Sequence, residues 1–461
     1  MVREHFAGRV IWNINSTARG GGVAEMLRYL VAYARGAGVD ARWAVIAGEP
    51  EFFHITKRLH NALHGERGDG SPLGDEQRKI YERVLHQNAT ELLAEVSPAD
   101  VVILHDPQTA GLIPYLAELG AIVIWRCHIG ADTTNEEVER GWAFLAPYLA
   151  RADRYVFSRA AYIPEYCDHG RSVVIPPCID PFSPKNQEMD EKTIHSILVH
   201  TGLVEGPNGQ ERTFIRDDGS PGRVEHRADV VRLGRAPLWT APLVVQVSRW
   251  DRLKDPIGVM EGFARLVAGG DSSGAHLVLA GPNVKAVADD PEGAEVFGEV
   301  EAAWRGLPHA VRDRIHLASL PMHDIEENAA IVNALQRHAT VVVQKSIREG
   351  FGLTVTEAMW KGKPVVASAV GGIQDQIVDG ESGLLLRNPR DLDAFAGLVR
   401  TLLADPARAR RLGEAARERV RECYLGLTSL ITYGQLIVGI DSARRAAATR
   451  VGAGEVGEPS P

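Results

Sequence analysis

The chain has 461 residues, too many for one hydrophobic core, so two domains of ordinary size are expected. Its hydrophobic share of 45% and charged share of 24% describe a soluble globular protein. A net charge of -9, with no dominant Lys/Arg block, excludes nucleic acid as the main partner but leaves room for local phosphate binding.

The start, MVREHFAGRVIW, lacks an apolar stretch of signal-peptide length, and Arg9 to Ile14 reads as a first strand. A Gly-rich loop follows, then a helix from about Val23 to Arg35. Further strands are expected at Arg42 to Ala47, Val101 to Leu104, Ala121 to Trp125, Arg154 to Phe157 and Ser172 to Ile175. Strands alternating with helices imply a parallel sheet covered on both faces, which suits uninterrupted Val and Ile. The Pro-rich stretch Ile175 to Asn186 opens a second unit of the same kind. Its strands are expected at Leu243 to Val247, Ala275 to Leu279, Thr340 to Gln344, Val365 to Ala367 and Leu384 to Leu386. Between them, Thr213 to Val231 carries Asp-Asp-Gly-Ser-Pro-Gly and reads as a hairpin without an evident function. No run of about 18 apolar residues occurs, so no membrane span is expected. The four cysteines, Cys127, Cys167, Cys178 and Cys423, form no C-x-x-C pair; reduced thiols in the cytoplasm are expected rather than a zinc site or disulfide framework.

In open parallel sheets ligands bind beyond the carboxyl ends of the strands. The first strand leads into Gly20-Gly21-Gly22, which allows close backbone approach and anion binding at the next helix. The dinucleotide pattern G-x-G-x-x-G is absent, and a loop without a ligand is the alternative. Two further strand ends carry His105-Asp106 and Arg126-Cys127-His128. Each His taken alone reads as structural, but together with Asp106 they point to a site; no metal-ligand spacing supports a metal there. In the second unit Arg249 and Lys254 follow a strand. They either neutralise a diphosphate or pair with Asp251 and Asp255 on a solvated loop.

The densest segment is Gln344 to Met359, in which a strand runs into Glu349, Gly350, Phe351 and Gly352 and a helix starts near Leu353 or Thr354. Its first amides point at the loop and suit phosphate. Glu349 and Glu357 can act as paired acceptors for sugar hydroxyls. Thr354 and Glu357 also have the T-x-x-E spacing of a capping box, so Glu357 is either a ligand or a cap.

EGFGLTVTEAM resembles the E-x7-E motif of the retaining glycosyltransferases with the GT-B fold, and SRWDRLKD resembles their diphosphate-binding Arg and Lys. The stretches VIWNINSTARGGGVAEML, WRCHIGADTTN and QKSIREGFGLTVTEAMWKGKPVVAS are similar to the trehalose glycosyltransferring synthases within that group. The resemblance spans residues 9 to 445. It implies an α/β chain of two Rossmann-like doubly wound domains facing across a cleft: residues 1–190, completed by a crossover helix at about 424–445, and residues 191–423. Residues 446–461 are expected to be a disordered tail.

The resemblance also implies a reaction and its residues. Nucleoside-diphosphate glucose (ADP-, UDP- or GDP-glucose, with ADP-glucose favoured) would be joined reversibly to glucose, giving trehalose. Arg249 and Lys254 would hold the diphosphate, Glu357 the ribose and Glu349 the donor glucose. The amides from Gly350 through Phe351, Gly352 and Leu353 to Thr354 would face phosphate and sugar. Gly22 would lie near the donor phosphate, His128 near the reacting centre and Asp106 on the acceptor glucose. No tightly bound cofactor or metal is implied, and the partners are small molecules, not nucleic acid or membrane. A homodimer is compatible with the sequence. Trehalose phosphorylases share much of the pattern and are the nearest alternative; a nucleotide-sugar epimerase is a more distant one.

Overall fold

The computed structural model describes residues 6–18, 22–207, 209–284 and 291–454. The chain divides into two compact units, one of residues 1–178 with 426–461 and the other of residues 179–425.

The first unit holds a six-stranded sheet: β1 (Val10–Asn15), β2 (Asp40–Val45), β3 (Val101–His105), β4 (Ile122–Cys127), β5 (Arg154–Phe157) and β6 (Ser172–Val174). The spatial order is β2-β1-β3-β4-β5-β6, with every pair parallel. β3 and β4 are buried throughout, as their unbroken apolar runs require. One face packs Trp125, Trp142, Phe52 and Tyr81 into a large aromatic core. On the other, Ile103, Ile124 and Val156 meet Ile437 and Ile440 of the helix Gly426–Gly454.

The second unit contains a hairpin of β7 (Thr213–Ile215) and β8 (Pro221–Arg223), then β9 (Asp229–Val231). β10 (Leu243–Val247), β11 (His276–Pro282), β12 (Ile315–Leu320), β13 (Val341–Gln344), β14 (Val365–Ser368) and β15 (Leu384–Leu386) follow. The sheet order is β15-β14-β13-β10-β11-β12-β9, parallel except for β9, which runs antiparallel along β12. In each sheet the chain reverses its direction of winding at one place: between β1 and β3 in the first unit, and between β10 and β13 in the second. These switch points open a crevice at the strand carboxyl ends.

Three expectations change. The unit boundary falls after Cys178 rather than at 190, because Ile179 already pairs with the second unit through the Tyr424 carbonyl at 2.9 Å. The helix of the returning chain therefore starts at Gly426, and Tyr424 stays with the second unit. That helix also continues to Gly454, so residues 446–454, expected to be disordered, are helical; residues 455–461 lie outside the described residues. β12, IHLASL, was not anticipated, since His316 and Ser319 interrupt its apolar run; it is nonetheless buried from end to end.

Candidate functional site

In the first unit the site is built where β1, β3 and β4 end. His105 closes β3 and is buried. Asp106 turns the chain with a left-handed φ of 64°, uncommon for a residue with a side chain. That turn is fixed by the Asp106 amide, which donates to the Arg126 carbonyl at 2.7 Å. The Asp106 Oδ1 in turn accepts from the His128 amide at 2.7 Å. The His105 Nδ1 and His128 Nε2 atoms lie 3.1 Å apart, and His105 Nε2 lies 3.3 Å from Asn13 Oδ1. Three strand ends are thereby joined in one hydrogen-bonded row.

Burial holds His105 down to about 3, and it holds His128 well below the ordinary range; the buried Arg126 guanidinium acts in the same direction on both. Both rings are therefore neutral at pH 7. A neutral ring has one donor and one acceptor nitrogen. If Asn13 accepts through Oδ1, the row requires the proton on Nε2 of both rings and leaves His128 Nδ1 as an acceptor. Asp106 is raised to about 7 by burial, against the opposing pull of the His128 amide and Arg126. Gly22 is the exposed first residue of the helix Gly22–Gly36, while Gly20 and Gly21 lie outside the described residues. Among the described residues no group of three His, Cys, Asp or Glu side chains is placed to hold a metal ion.

In the second unit two loops meet at the switch point. After β10, Trp250 is buried with Nε1 donating to the Pro282 carbonyl at 2.9 Å, which pins the loop. Gln246 Nε2 donates to the Lys254 carbonyl at 2.9 Å, and the Ile347 amide donates to the Leu253 carbonyl at 2.8 Å. So braced, Lys254 directs Nζ onto Glu349 Oε2 at 2.5 Å. Ser346 Oγ donates to the same oxygen at 3.3 Å. Beneath them the buried Lys345 pairs with Asp255, which caps the helix Pro256–Ala268 from a φ of 49°. Arg249 remains apart: its side chain is 67% exposed and pairs with Asp251 at 3.2 Å.

The loop from Glu349 to Gly352 is held by backbone packing. A Cβ on Gly371 would run into the Glu349 carbonyl, and one on Gly372 would stand 2.7 Å from Phe351 Cα. Gly352, with φ 86°, is the N-cap of the helix Leu353–Trp360 and provides no side-chain cap. The capping-box reading of Thr354 and Glu357 is thus overturned. With the cap at Gly352, Thr354 lies inside the first turn, and its Oγ1 donates to Gln344 Oε1 at 3.3 Å. Glu357 is buried, and its Oε1 faces Lys185 Nζ at 3.6 Å. Lys361, lowered to about 7 by burial, donates to the Glu357 carbonyl and to Asn186 Oδ1, each at 3.1 Å.

Lys254 and Glu349 are thus brought together, as are His128 and Asp106. Glu349 and Glu357 are not joined as a pair; each has its own lysine. Lys185, Lys361 and the Gly371-Gly372 turn were missed, and Arg126 was read at its strand end but given no role. Arg126 and the turn follow the strand-end rule and were within its reach, whereas Lys185 comes from the Pro-rich junction and carries no local signal.

Two doubly wound units, each with polar groups gathered at its switch point, have the architecture of the GT-B fold. An α,α-trehalose-phosphate synthase (UDP-forming) from Burkholderia vietnamiensis has the same fold, with a TM-score of 0.67 at 17% identity, over 95% of this chain and 100% of that one. Residues 13–164 match the family model "Trehalose synthase, N-terminal domain", and residues 238–419 match "Glycosyl transferases group 1". A trehalose synthase of Pyrococcus horikoshii is 37% identical over 422 residues, 92% of this chain and 88% of the relative. A trehalose phosphorylase of Pleurotus pulmonarius is 27% identical over 88% of this chain but only 54% of its own length. The chain belongs to the trehalose synthase family. It is a trehalose-related glycosyltransferase.

Proposed function

We propose that this protein transfers glucose from a nucleoside-diphosphate glucose, ADP-glucose by preference over the UDP and GDP forms, to free glucose. The products are α,α-trehalose and the nucleoside diphosphate. Configuration is retained, and the reaction runs in both directions. The observation that carries this reading is the meeting of Lys254 and Glu349 at the switch point of the second unit.

Breaking the bond from glucose C1 to the diphosphate oxygen leaves negative charge on the leaving group. Fixed positive charge there lowers the barrier. Lys254 and Arg249 supply it, and the amides from Gly350 through Phe351, Gly352 and Leu353 to Thr354 add to it at the helix start. Glu349 takes the donor glucose hydroxyls and Glu357 the ribose hydroxyls. Gly22 leaves room at the donor phosphate. In the first unit Asp106 binds the acceptor glucose, and His128 serves the reacting centre as a neutral hydrogen-bonding group. The acceptor oxygen forms its bond to C1 on the face the diphosphate leaves, and its proton passes to the departing phosphate oxygen. Glu349, already engaged by Lys254 and Ser346, acts here as a sugar ligand and not as a nucleophile. A trapped glucosyl ester on Glu349 would sink this route.

Four free thiols support a cytoplasmic site of action. A donor panel with glucose as acceptor, read as trehalose and released nucleotide, tests the main reading. The match to trehalose phosphorylases favours one rival, in which phosphate takes the place of nucleotide. Incubating trehalose with phosphate, and separately with ADP, separates the two. Glucose 1-phosphate formed without nucleotide would establish the rival.

A further inference from the structure

The segment from Glu205 to Trp239, which contains the hairpin, contributes nothing to the strand-end site. It does form most of an open surface pocket of about 420 Å³ in the second unit, lined by Gly202, Glu205, Arg227, Arg232, Gly234 and Arg235 among others. That volume is within the range of small-molecule sites, about 300–1,000 Å³. The charge of its wall is one-sided. Three arginines stand against one carboxylate, Glu205, which answers Arg235 at 3.3 Å. Among the described residues neither Arg227 nor Arg232 has a carboxylate at ion-pair distance.

Arg227 and Arg232 converge. A Cβ placed on Gly202 would lie 2.9 Å from Arg227 Nη2 and 3.8 Å from Arg232 Nη2. Gly202 ends the helix Glu191–Thr201 with φ 77°, so the absence of a side chain there keeps both guanidinium groups close. Part of this arrangement is ordinary helix capping: Arg232 Nη1 donates to the Gly202 carbonyl at 2.9 Å. Arg227 makes no such bond. Burial, and then the neighbouring Arg227 charge, hold Arg232 below its ordinary range. Glu205 opposes this only in part, being engaged by Arg235, and a further anion between the two guanidinium groups relieves the remaining repulsion.

We infer that this pocket binds a small phosphate-bearing molecule, clamped between the guanidinium forks of Arg227 and Arg232. Planar guanidinium groups match phosphate oxygens two by two, which a simple positive charge does not. The pocket shares no lining residue with the ends of β10 and β13, so its ligand is a second one, separate from any nucleotide bound at the strand ends. The phosphate can be free or carried on a sugar, and the experiment separates these sources.

Inorganic phosphate, pyrophosphate and glucose 6-phosphate are titrated against the full-length protein by calorimetry, with malonate as a carboxylate control. At least one phosphate compound is expected to bind saturably. Arg227→Glu, an exposed position with no hydrogen-bonded partner to lose, is expected to weaken it tenfold or more. Arg227→Lys keeps the charge but loses the fork, and is expected to fall between. Binding is expected to persist in Lys254→Ala, which separates this pocket from the strand-end site. Tighter glucose 6-phosphate binding identifies a sugar-phosphate site, and tighter phosphate or pyrophosphate binding a free-anion site; either supports the proposal. It is overturned if none of the three binds saturably, if Arg227→Glu binds as well as the parent protein, if Lys254→Ala abolishes binding, or if malonate binds as tightly as phosphate.

Discussion

The strand ends of the two units solve opposite problems with the same fold. In the first unit His105, His128 and Asp106 sit close to the buried Arg126, and burial suppresses charge: both imidazoles are held neutral and the carboxyl is pushed up to about 7. In the second unit Lys254, Glu349, Lys345 and Asp255 remain as ion pairs. Neutral imidazoles beside a carboxyl that is only partly ionised near pH 7 suit sugar hydroxyls, which bring no charge. Salt-bridged cations suit a diphosphate, which brings two or more negative charges. The difference teaches that burial can leave two strand-end clusters of one fold with opposite character, uncharged rings in one and paired side chains in the other.

The contrast can be broken most directly at Lys254. Lys254→Ala removes the cation nearest Glu349 and is expected to lower kcat/KM by about 10²–10³, the range for losing one stabilising group at a developing negative charge. A loss below tenfold in steady-state kinetics would mean that the second unit's charges are structural. Glu357→Gln comes next. It keeps shape and burial but gives up acceptor capacity, so about a tenfold rise in KM for the nucleotide sugar with little change in kcat is expected. A kcat effect of the same size would move Glu357 from the proposed ribose binding to the chemistry.

The first unit is tested through acidity. Asp106 has a folded-state value of about 7 against an ordinary 3.8, so folding takes up a proton between these limits. Its stabilising contribution is complete below the unfolded value and is lost as pH rises through about 7. Asp106→Asn should flatten the fall in stability between these values, by at most about 1.4 kcal/mol per pH unit in denaturant titrations. Parallel slopes for the two proteins would show that Asp106 titrates normally. The smallest effect is expected at the histidines: the ring protons of His105 and His128 should not shift between pH 5.5 and 8 by NMR, in keeping with the low value of about 3 for His105. A titration near 6.5 in either ring would end the contrast.

Much of this was legible in the sequence because buried parallel strands write themselves as plain apolar runs. β5, β10 and β15 fall on the expected residues, and the strand-end rule leads to His105, Asp106, His128, Arg249, Lys254 and Glu349. What escaped was set by distant contacts. β12 holds a buried His316 whose Nε2 is 3.0 Å from His276 Nδ1, and that compensation cannot be seen in IHLASL alone. Glu357 could not be told from a helix cap until Gly352 proved to be the N-cap. Lys185 meets Glu357 only because the chain from the Pro-rich junction folds back on the helix Leu353–Trp360. The hairpin itself was foreseen, but not that Arg216 at its turn would bind Asp324 and Glu326, nor that β9 would join the main sheet in reverse.

The helix Gly426–Gly454 has a consequence for how the protein is made. Ile437 and Ile440 complete the apolar face formed by Val101, Ile103, Ile122, Ile124 and Val156. The ribosome must therefore synthesise the whole of residues 179–425 before the first unit can close, a delay on the order of ten seconds or more at ordinary rates of translation. During that interval the nascent sheet shows one greasy side to water and is a natural client for chaperones. A chain broken off anywhere before residue 437 would leave that side uncovered for good.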